Sequence, residues 1–257
     1  MTEGHGVHQA ALAFDRAGDA YERGRPSYPP EAVSCLVDSL RIGPGATVLD
    51  LAAGTGKLTR LLAPTGARVI AVEPASGMRQ KLVDSAPGVE AIDGTAEAVP
   101  LQDGSVDAVT VAQAFHWFDG DKALAEIHRV LAPGGRLGII WNRREESEPW
   151  IVRLGELIEP YRGDAPRYLA HRWRDAFDRT TLFTPLEHAR FELVHETDPD
   201  GIVARVTSIS FVAGLSDDER AALSDRVRAL LDEDPMTHGR ERLGLPYHTD
   251  VYWCERV

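Results

Sequence analysis

Short apolar runs rich in strand-forming residues alternate with helical spacing along the first half of the chain. The runs cover residues 46–51, 67–72, 89–92, 106–112 and 136–142, and the segments 30–40, 57–62 and 122–131 repeat their apolar positions every three to four residues. Continuous apolar runs are typical of buried parallel strands, and alternation with helices favours right-handed crossovers. The pattern predicts an α/β, doubly wound, mostly parallel sheet of the Rossmann-like type.

The second half of the chain predicts an antiparallel completion of this sheet. Residues 186–194 alternate as a strand does, 200–212 and 216–231 have helical spacing, and 245–254 form the last predicted strand. Ser216 and Glu219 match a capping box, which marks a helix start. A closing hairpin added to five parallel strands gives seven strands, and we expect one domain over residues 1–257.

Composition narrows the class of protein further. The 257 residues carry a net charge of -12, 43% are hydrophobic and 26% are charged. The acidic balance argues against a nucleic-acid partner, and no stretch has the length and hydropathy of a signal peptide or a membrane span. Cys35 and Cys254 lack metal-site spacing, so we expect no metal and a cytoplasmic setting.

The turn after the first run, Ala52-Ala53-Gly54-Thr55-Gly56, has small residues that let a ligand approach the backbone closely. A P-loop is disfavoured, because Leu51 and Leu58 stand where it needs glycine and Ser or Thr. A dinucleotide fingerprint lacks its third glycine here. S-adenosylmethionine has no phosphate and needs only the close approach. Glu73 follows Gly56 by 17 residues, near the ~20-residue spacing at which an acid reaches ribose hydroxyls, and this suits either nucleoside ligand.

The stretch from Val48 to Gly56 resembles the first motif of class I S-adenosylmethionine-dependent methyltransferases, in their small-molecule, type 11-like branch. Ala52 stands where many members have glycine. The unit Glu126–Gly135, which contains Pro133-Gly134-Gly135, is also similar to a structural signature of that family. The resemblance is specific over about residues 20–142.

The resemblance implies a lid over residues 1–30, a helical cap insertion over 143–183, and S-adenosyl-L-methionine as the cofactor. It implies a set of cofactor-binding residues in the lid, the strand ends and the turns that follow them: Tyr21, Arg25, Tyr28, Asp50, Ala52, Gly54, Gly56, Glu73, Pro74, Met78, Thr95, Ala96, Glu97 and Gln113. Thr95 replaces an aspartate that is common in the adenine-edge motif. The sequence after the fourth strand lacks the motif of enzymes that methylate nucleic acid bases.

The residues at the end of the fourth and fifth strands are expected to face the acceptor, since the family places the methyl group there. His116, Trp117 and Trp141 are the candidate substrate contacts, and His116 is the candidate catalytic residue. It would be a base for a hydroxyl acceptor and a binding group for a carboxylate. We therefore predict methyl transfer to a small molecule, with O-methylation favoured. Two alternatives stay open: a dehydrogenase that uses NAD, and a non-catalytic protein that binds the cofactor.

Overall fold

A seven-stranded sheet forms the centre of the protein in a computed structural model that describes residues 22–163 and 173–257. The strand order is β3-β2-β1-β4-β5-β7-β6. The strands are β1 Thr47–Leu51, β2 Arg68–Val72, β3 Glu90–Ile92, β4 Val106–Ala112, β5 Leu131–Arg144, β6 Glu187–Thr197 and β7 Leu243–Glu255.

Strands β1 to β5 pair in parallel, whereas β7 is antiparallel to both β5 and β6. This confirms the predicted mostly parallel sheet with a closing antiparallel pair. The carboxyl ends of β1, β2, β4 and β5 therefore meet at one edge, together with the start of β7 and the end of β6. Ligands of open α/β sheets bind at this edge.

Helices cover both faces of the sheet, as parallel strands require. They are α1 Pro30–Ser39, α2 Thr59–Leu62, α3 Ser76–Ser85, α4 Gly120–Val130, α5 Pro149–Ile158, α6 Asp175–Arg179, α7 Pro199–Thr207, α8 Ser210–Ala213 and α9 Asp217–Glu233. Asp119 caps α4 by accepting from the backbone N–H of Lys122, and the predicted capping box of Ser216 and Glu219 is present at α9.

Alternate strand residues enter different hydrophobic clusters. Leu49 of β1 packs in a cluster with α4, whereas Val48 packs in a cluster with α1. A third cluster joins α5, α7 and α9 to the start of β7. This third cluster supports the end of the sheet where β5, β7 and β6 meet, and it lies beside the edge at which ligands are expected.

The last three strands, β5, β6 and β7, extend beyond their predicted bounds. β5 continues to Arg144 because Arg143 pairs with His248 and Arg144 pairs with Tyr247, so the first two residues of the predicted helical cap belong to the sheet. The predicted helix over 200–212 is two helices, since Ile209 is extended between α7 and α8. Residues 1–21 of the predicted lid and 164–172 of the predicted cap lie outside the described residues. Among the helices of the described ranges, none combines the length and the hydropathy needed to cross a bilayer.

Candidate functional site

The turn after β1 leaves its backbone open on one side. Ala52, Gly54 and Gly56 have φ values of 55°, 60° and 84°, in the left-handed region. A Cβ at Gly56 would lie 3.0 Å from Cγ of Leu82, so α3 packs against the turn there. A Cβ at Gly54 would meet no described atom within 4 Å. The turn thus packs closely against α3 at Gly56, whereas its backbone at Gly54 faces open space.

Glu73 is the acid at the carboxyl end of β2, and its side chain joins two turns. Its Oε2 accepts from the backbone N–H of Gly54 at 2.8 Å, and its Oε1 accepts from that of Ala75 at 2.9 Å. Burial raises the pKa of Glu73, and the two N–H donors oppose that rise. A carboxylate oxygen can accept two hydrogen bonds, so each keeps capacity for a ligand hydroxyl. The predicted ribose contact is compatible with this geometry.

Asp50 lies beneath the turn rather than on its open side. Its side chain is fully buried, and it accepts from the hydroxyls of Thr59 at 2.6 Å and Thr110 at 3.0 Å. Burial raises the pKa of Asp50 to about 6, although both hydroxyls lower it. These contacts connect β1 to β4 and to α2, so Asp50 positions the turn from below.

The residues predicted to contact adenine are mostly buried side chains, and the carboxylate among them already has a hydrogen-bond partner. Thr95 and Ala96 are buried, and so is Met78 on α3, while Pro74 is half-buried. The carboxylate of Glu97 accepts from the backbone N–H of Asp119 at 2.9 Å. Glu97 therefore supports the start of α4, and the backbone of this segment is the better candidate for a ligand contact.

Segment 22–28, which we call the lid segment, crosses between the turn after β1 and α7. The Arg25 guanidinium donates to Oγ of Ser208 at 3.3 Å and to the carbonyl of Ser208 at 3.1 Å. Tyr28 is buried in the cluster that contains Leu36 and Leu40. Tyr21, the third predicted lid residue, lies outside the described residues. Arg25 thus reaches the C-terminal end of α7, and Tyr28 contributes to packing.

Glu22 and Lys57 anchor the lid segment, and sequence reasoning did not identify them. The Lys57 ammonium donates to the carbonyls of Glu22 and Arg25, both at 3.0 Å. The Glu22 carboxylate accepts from Arg60 at 2.9 Å and from the hydroxyl of Thr55. Burial lowers the pKa of Lys57, and Glu22 opposes this. In the sequence Lys57 stands only as the lysine of the disfavoured P-loop, and the chain carries no periodic signal that pairs residue 22 with residue 57.

His116 lies in a short 3-10 helix after β4, among aromatic rings. Its ring centroid is 4.7 Å from that of Trp117 and 5.3 Å from that of Trp141. Its Nδ1 is buried and has no hydrogen-bond partner within the described ranges. Burial, and then the charge of Arg25, lower the pKa of His116 to about 3. The three residues predicted to contact the methyl acceptor are thus brought together. The low pKa keeps the imidazole of His116 neutral at physiological pH.

Gln113 and Asn142 connect the ends of β4 and β5 to the lid segment. Gln113 has φ 59°, and its Nε2 donates to the carbonyl of Asn142 at 3.3 Å. Asn142 in turn donates from Nδ2 to the carbonyl of Ser27 at 3.0 Å. Strained backbone of this kind is concentrated at functional sites. Asn142 was not among the predicted site residues, because its role depends on a contact 115 residues away in sequence.

The residues at this edge fit a nucleoside cofactor that carries no phosphate. Space above Gly54 is open, the Glu73 carboxylate has spare acceptor capacity, and the lid segment lies across the same edge. The assignment of single residues to the cofactor stays a prediction, and the geometry gives it a physical basis.

Comparisons with known proteins agree on one family. A methyltransferase domain model matches residues 49–139. An uncharacterized methyltransferase of Mycobacterium tuberculosis is 43% identical over 242 residues, which cover 93% of each chain. The ubiquinone/menaquinone biosynthesis C-methyltransferase UbiE of Escherichia coli is 36% identical over 182 residues, which cover 62% of this chain and 71% of UbiE. A solved structure described as a type II methyltransferase from Anaeromyxobacter dehalogenans shares the fold, with 23% identity and a TM-score of 0.66 over 90% of this chain and 97% of that one.

Proposed function

Because the chain belongs to the S-adenosylmethionine-dependent methyltransferase family, we propose that it methylates a carboxylate oxygen of a small-molecule acceptor. Family membership confirms the predicted enzyme class and cofactor, and the NAD-dependent and non-catalytic alternatives are set aside. Bound S-adenosylmethionine supplies a methyl group that its sulfonium makes electrophilic. In our proposal Glu73 holds the ribose hydroxyls, and the turn at Gly54 allows the cofactor to approach the backbone.

The observation that carries the carboxylate proposal is the environment of His116. The ring packs against Trp117 and Trp141, and its buried Nδ1 has no hydrogen-bond partner among the described residues. This burial lowers its pKa to about 3 and makes the ring a weak base, since proton transfer is most effective when the pKa of the base is near the working pH. A hydroxyl acceptor loses a proton during methylation and benefits from a base. A carboxylate is already ionised at neutral pH and needs none. The site therefore suits the carboxylate better.

In this proposal the protein accelerates the reaction by aligning the acceptor with the cofactor rather than by transferring a proton. The rings of His116, Trp117 and Trp141 form a wall beside the ends of β4 and β5, and the lid segment is tied down on both sides of this edge. Holding two reactants in the reactive geometry is worth ~7–11 kcal/mol. In this proposal residues 1–257 form one methyltransferase domain, in which the lid over residues 1–30 and the cap over residues 143–183 help to hold the acceptor.

A small acceptor is favoured over a macromolecule. The net charge of -12 disfavours a polyanion, and the lid segment covers the edge where the acceptor would enter. A nucleic acid is therefore not the proposed partner.

Methyl transfer to carbon is the second candidate, and the likeness to UbiE favours it. An electron-rich ring carbon is expected to need activation by a base, and His116 is poorly suited to that role. The two candidates differ in a chemical property of the product, because a methyl ester is cleaved by alkali and a carbon-bound methyl group is not.

The test uses S-adenosylmethionine with a labelled methyl group and a panel of small carboxylic acids, phenols and quinols. Products that release labelled methanol in mild alkali support the carboxylate proposal. Label that survives alkali, with phenol or quinol acceptors only, would overturn it in favour of an ether or a C-methyl product. Mass spectrometry of the surviving product then separates those two.

A further inference from the structure

Two arginines and a histidine neighbour Tyr247, beyond the predicted site residues. Arg205 of α7 donates from Nε to the Tyr247 hydroxyl at 3.1 Å. Arg144, the last residue of β5, pairs with Tyr247 across the sheet. The ring of His195 on β6 meets the ring of Tyr247 edge-on, with 6.4 Å between centroids. All three side chains belong to the side of the sheet that packs against α7.

This cluster contains hydrogen-bonding nitrogen atoms that have no partner among the described residues. Nη1 of Arg205 and Nε2 of His195 are both buried, and neither has a hydrogen-bond partner among the described residues. The Arg144 side chain is only 12% exposed, and its ion pair is with Glu146 at 3.4 Å, whose own side chain is 59% exposed. Burial, and then the charge of Arg205, lower the pKa of Arg144. Burial, and then Lys57 and Arg205, lower the pKa of His195.

Buried like charges with unused donors are unfavourable unless an anion offsets them. Building on the proposed function, we propose that Arg144, Arg205 and His195 form a subsite for a carboxylate group of the acceptor. The planar fork of an arginine matches a carboxylate with two parallel hydrogen bonds. A neutral imidazole still offers one N–H donor. The subsite would select acidic acceptors and fix their orientation.

The subsite is continuous with the methyl-transfer edge through the lid segment. A Cβ at Gly24 would lie 2.2 Å from the backbone nitrogen of Arg205, so the lid segment rests directly on α7. Arg25 bonds to Ser208, three residues after Arg205. Asn142, which holds the carbonyl of Ser27, precedes Arg144 by two residues and shares its face of β5. The lid segment therefore contacts α7 and the end of β5, the two elements that carry the arginines of the subsite.

The test measures binding of simple acids to the full chain saturated with S-adenosylhomocysteine. The probes are succinate and benzoate, each paired with its uncharged methyl ester, and inorganic phosphate at the same ionic strength. Isothermal titration calorimetry gives the dissociation constants for the wild type, Arg205→Met, Arg205→Lys and Arg144→Met. Arg226→Met is the matched control, because Arg226 also donates to a tyrosine hydroxyl, that of Tyr161 at 3.1 Å, at an exposed position.

We expect at least one acid to bind at least 10-fold more tightly than its ester. Arg205→Met and Arg144→Met should each weaken acid binding at least 10-fold, whereas Arg205→Lys should lose less and Arg226→Met should stay within twofold of the wild type. Affinity for S-adenosylhomocysteine should stay within twofold in all variants, which shows that they are folded.

Three results would overturn the subsite: equal binding of acids and esters by the wild type, equal losses in Arg205→Met and Arg226→Met, or phosphate binding more tightly than any acid. If Arg205→Met does not fold, Arg144→Met and Arg205→Lys decide the question. The binding test of the subsite and the product test of the proposed reaction can fail independently. An alkali-stable product together with Arg205-dependent acid binding would refute transfer to a carboxylate and leave the subsite standing.

Discussion

The carboxylate of Glu73 accepts a hydrogen bond from the backbone N–H of Gly54 at 2.8 Å. This contact ties the end of β2 to the open turn after β1, across 19 residues of sequence. The acid is 7% exposed, so its orientation is fixed before a ligand arrives. Preorganised acceptors of this kind bind hydroxyls with little reordering.

Glu73→Gln should weaken the binding of S-adenosylhomocysteine. A glutamine keeps the size of the side chain but loses the charge and one acceptor oxygen, and hydrogen bonds to charged groups are worth ~1.5–3 kcal/mol. We expect a loss of about 10- to 100-fold in affinity, measured by calorimetry. Glu90→Gln is the control, because Glu90 forms an exposed ion pair with Arg68 on β2. Equal affinities for the wild type and Glu73→Gln would refute the ribose assignment.

The rate of methyl transfer should be independent of pH between pH 6 and 9. With a pKa of about 3, His116 is neutral throughout this range, and a carboxylate acceptor is ionised throughout it. His116→Gln should lower kcat by less than about 10-fold and keep the flat profile, since a general base contributes ~10²–10⁴-fold. The measurement is kcat against pH for both proteins. A rising limb in the wild type that His116→Gln removes would restore the base role.

The five parallel strands could be predicted because each of them carries its own apolar run. The bounds of β5 could not, because Arg143 and Arg144 are held in the strand by pairing with His248 and Tyr247. Pairing with a distant strand outweighs the polar character of those two residues. The break between α7 and α8 was missed for a similar reason, since Ser208 at this point bonds to Arg25 of the lid segment.

The site residues likewise fall into those that the sequence predicted and those that only the structure shows. Glu73 and the turn at Gly54 were predicted because spacing along the chain reflects the strand-turn-helix unit. Glu22 and Asn142 escaped prediction, because their partners lie 33 to 115 residues away in the sequence. Asp50 was predicted from its motif, but only the structure shows its carboxylate bonded to Thr59 and Thr110 below the turn.

Asp50 and His116 should act on stability in opposite directions between pH 4 and 6. The folded pKa of Asp50, about 6, exceeds its unfolded value of about 3.9, so its contribution is present at low pH and is lost as pH rises to 6. The folded pKa of His116, about 3, is below its unfolded value of about 6.5, so its contribution is present above that pH and is lost as pH falls. The two effects partly cancel in the wild type.

Asp50→Asn should therefore steepen the loss of stability towards low pH, and His116→Gln should reduce it. Each group changes the free energy of unfolding by at most about 1.4 kcal/mol per pH unit. Urea denaturation at several values between pH 4.5 and 6.5 measures both slopes. Parallel curves for the wild type and the two variants would show that neither pKa is shifted as described.

Ala52→Gly should stabilise the protein slightly. Ala52 adopts φ 55°, and the left-handed region costs a residue with a Cβ roughly 1–2 kcal/mol. Part of this gain is offset by the larger entropy of glycine in the unfolded chain, about 0.4–1 kcal/mol. We expect a net gain of about 0.5 kcal/mol by urea denaturation. Ala53→Gly is the matched control in the same turn and should destabilise, since Ala53 is not in the left-handed region. A loss of stability in Ala52→Gly as large as that in Ala53→Gly would contradict the strain.

Glu22→Gln should speed the dissociation of S-adenosylhomocysteine. Glu22 is the acid that holds Lys57, Arg60 and the hydroxyl of Thr55 to the lid segment. Its loss leaves the lid segment with its contacts to Ser208 and Asn142, so we expect the segment to open more often rather than detach.

The expected rise in the dissociation rate is about 5-fold, which corresponds to the ~1 kcal/mol at the upper end of the range for partly exposed ion pairs. Stopped-flow displacement measures that rate, and the association rate should change less. Glu31→Gln, in the exposed first turn of α1, is the control. If both variants release S-adenosylhomocysteine at the wild-type rate, the lid segment does not retain the cofactor, and its anchors at Lys57 and Arg60 serve the packing of the turn alone.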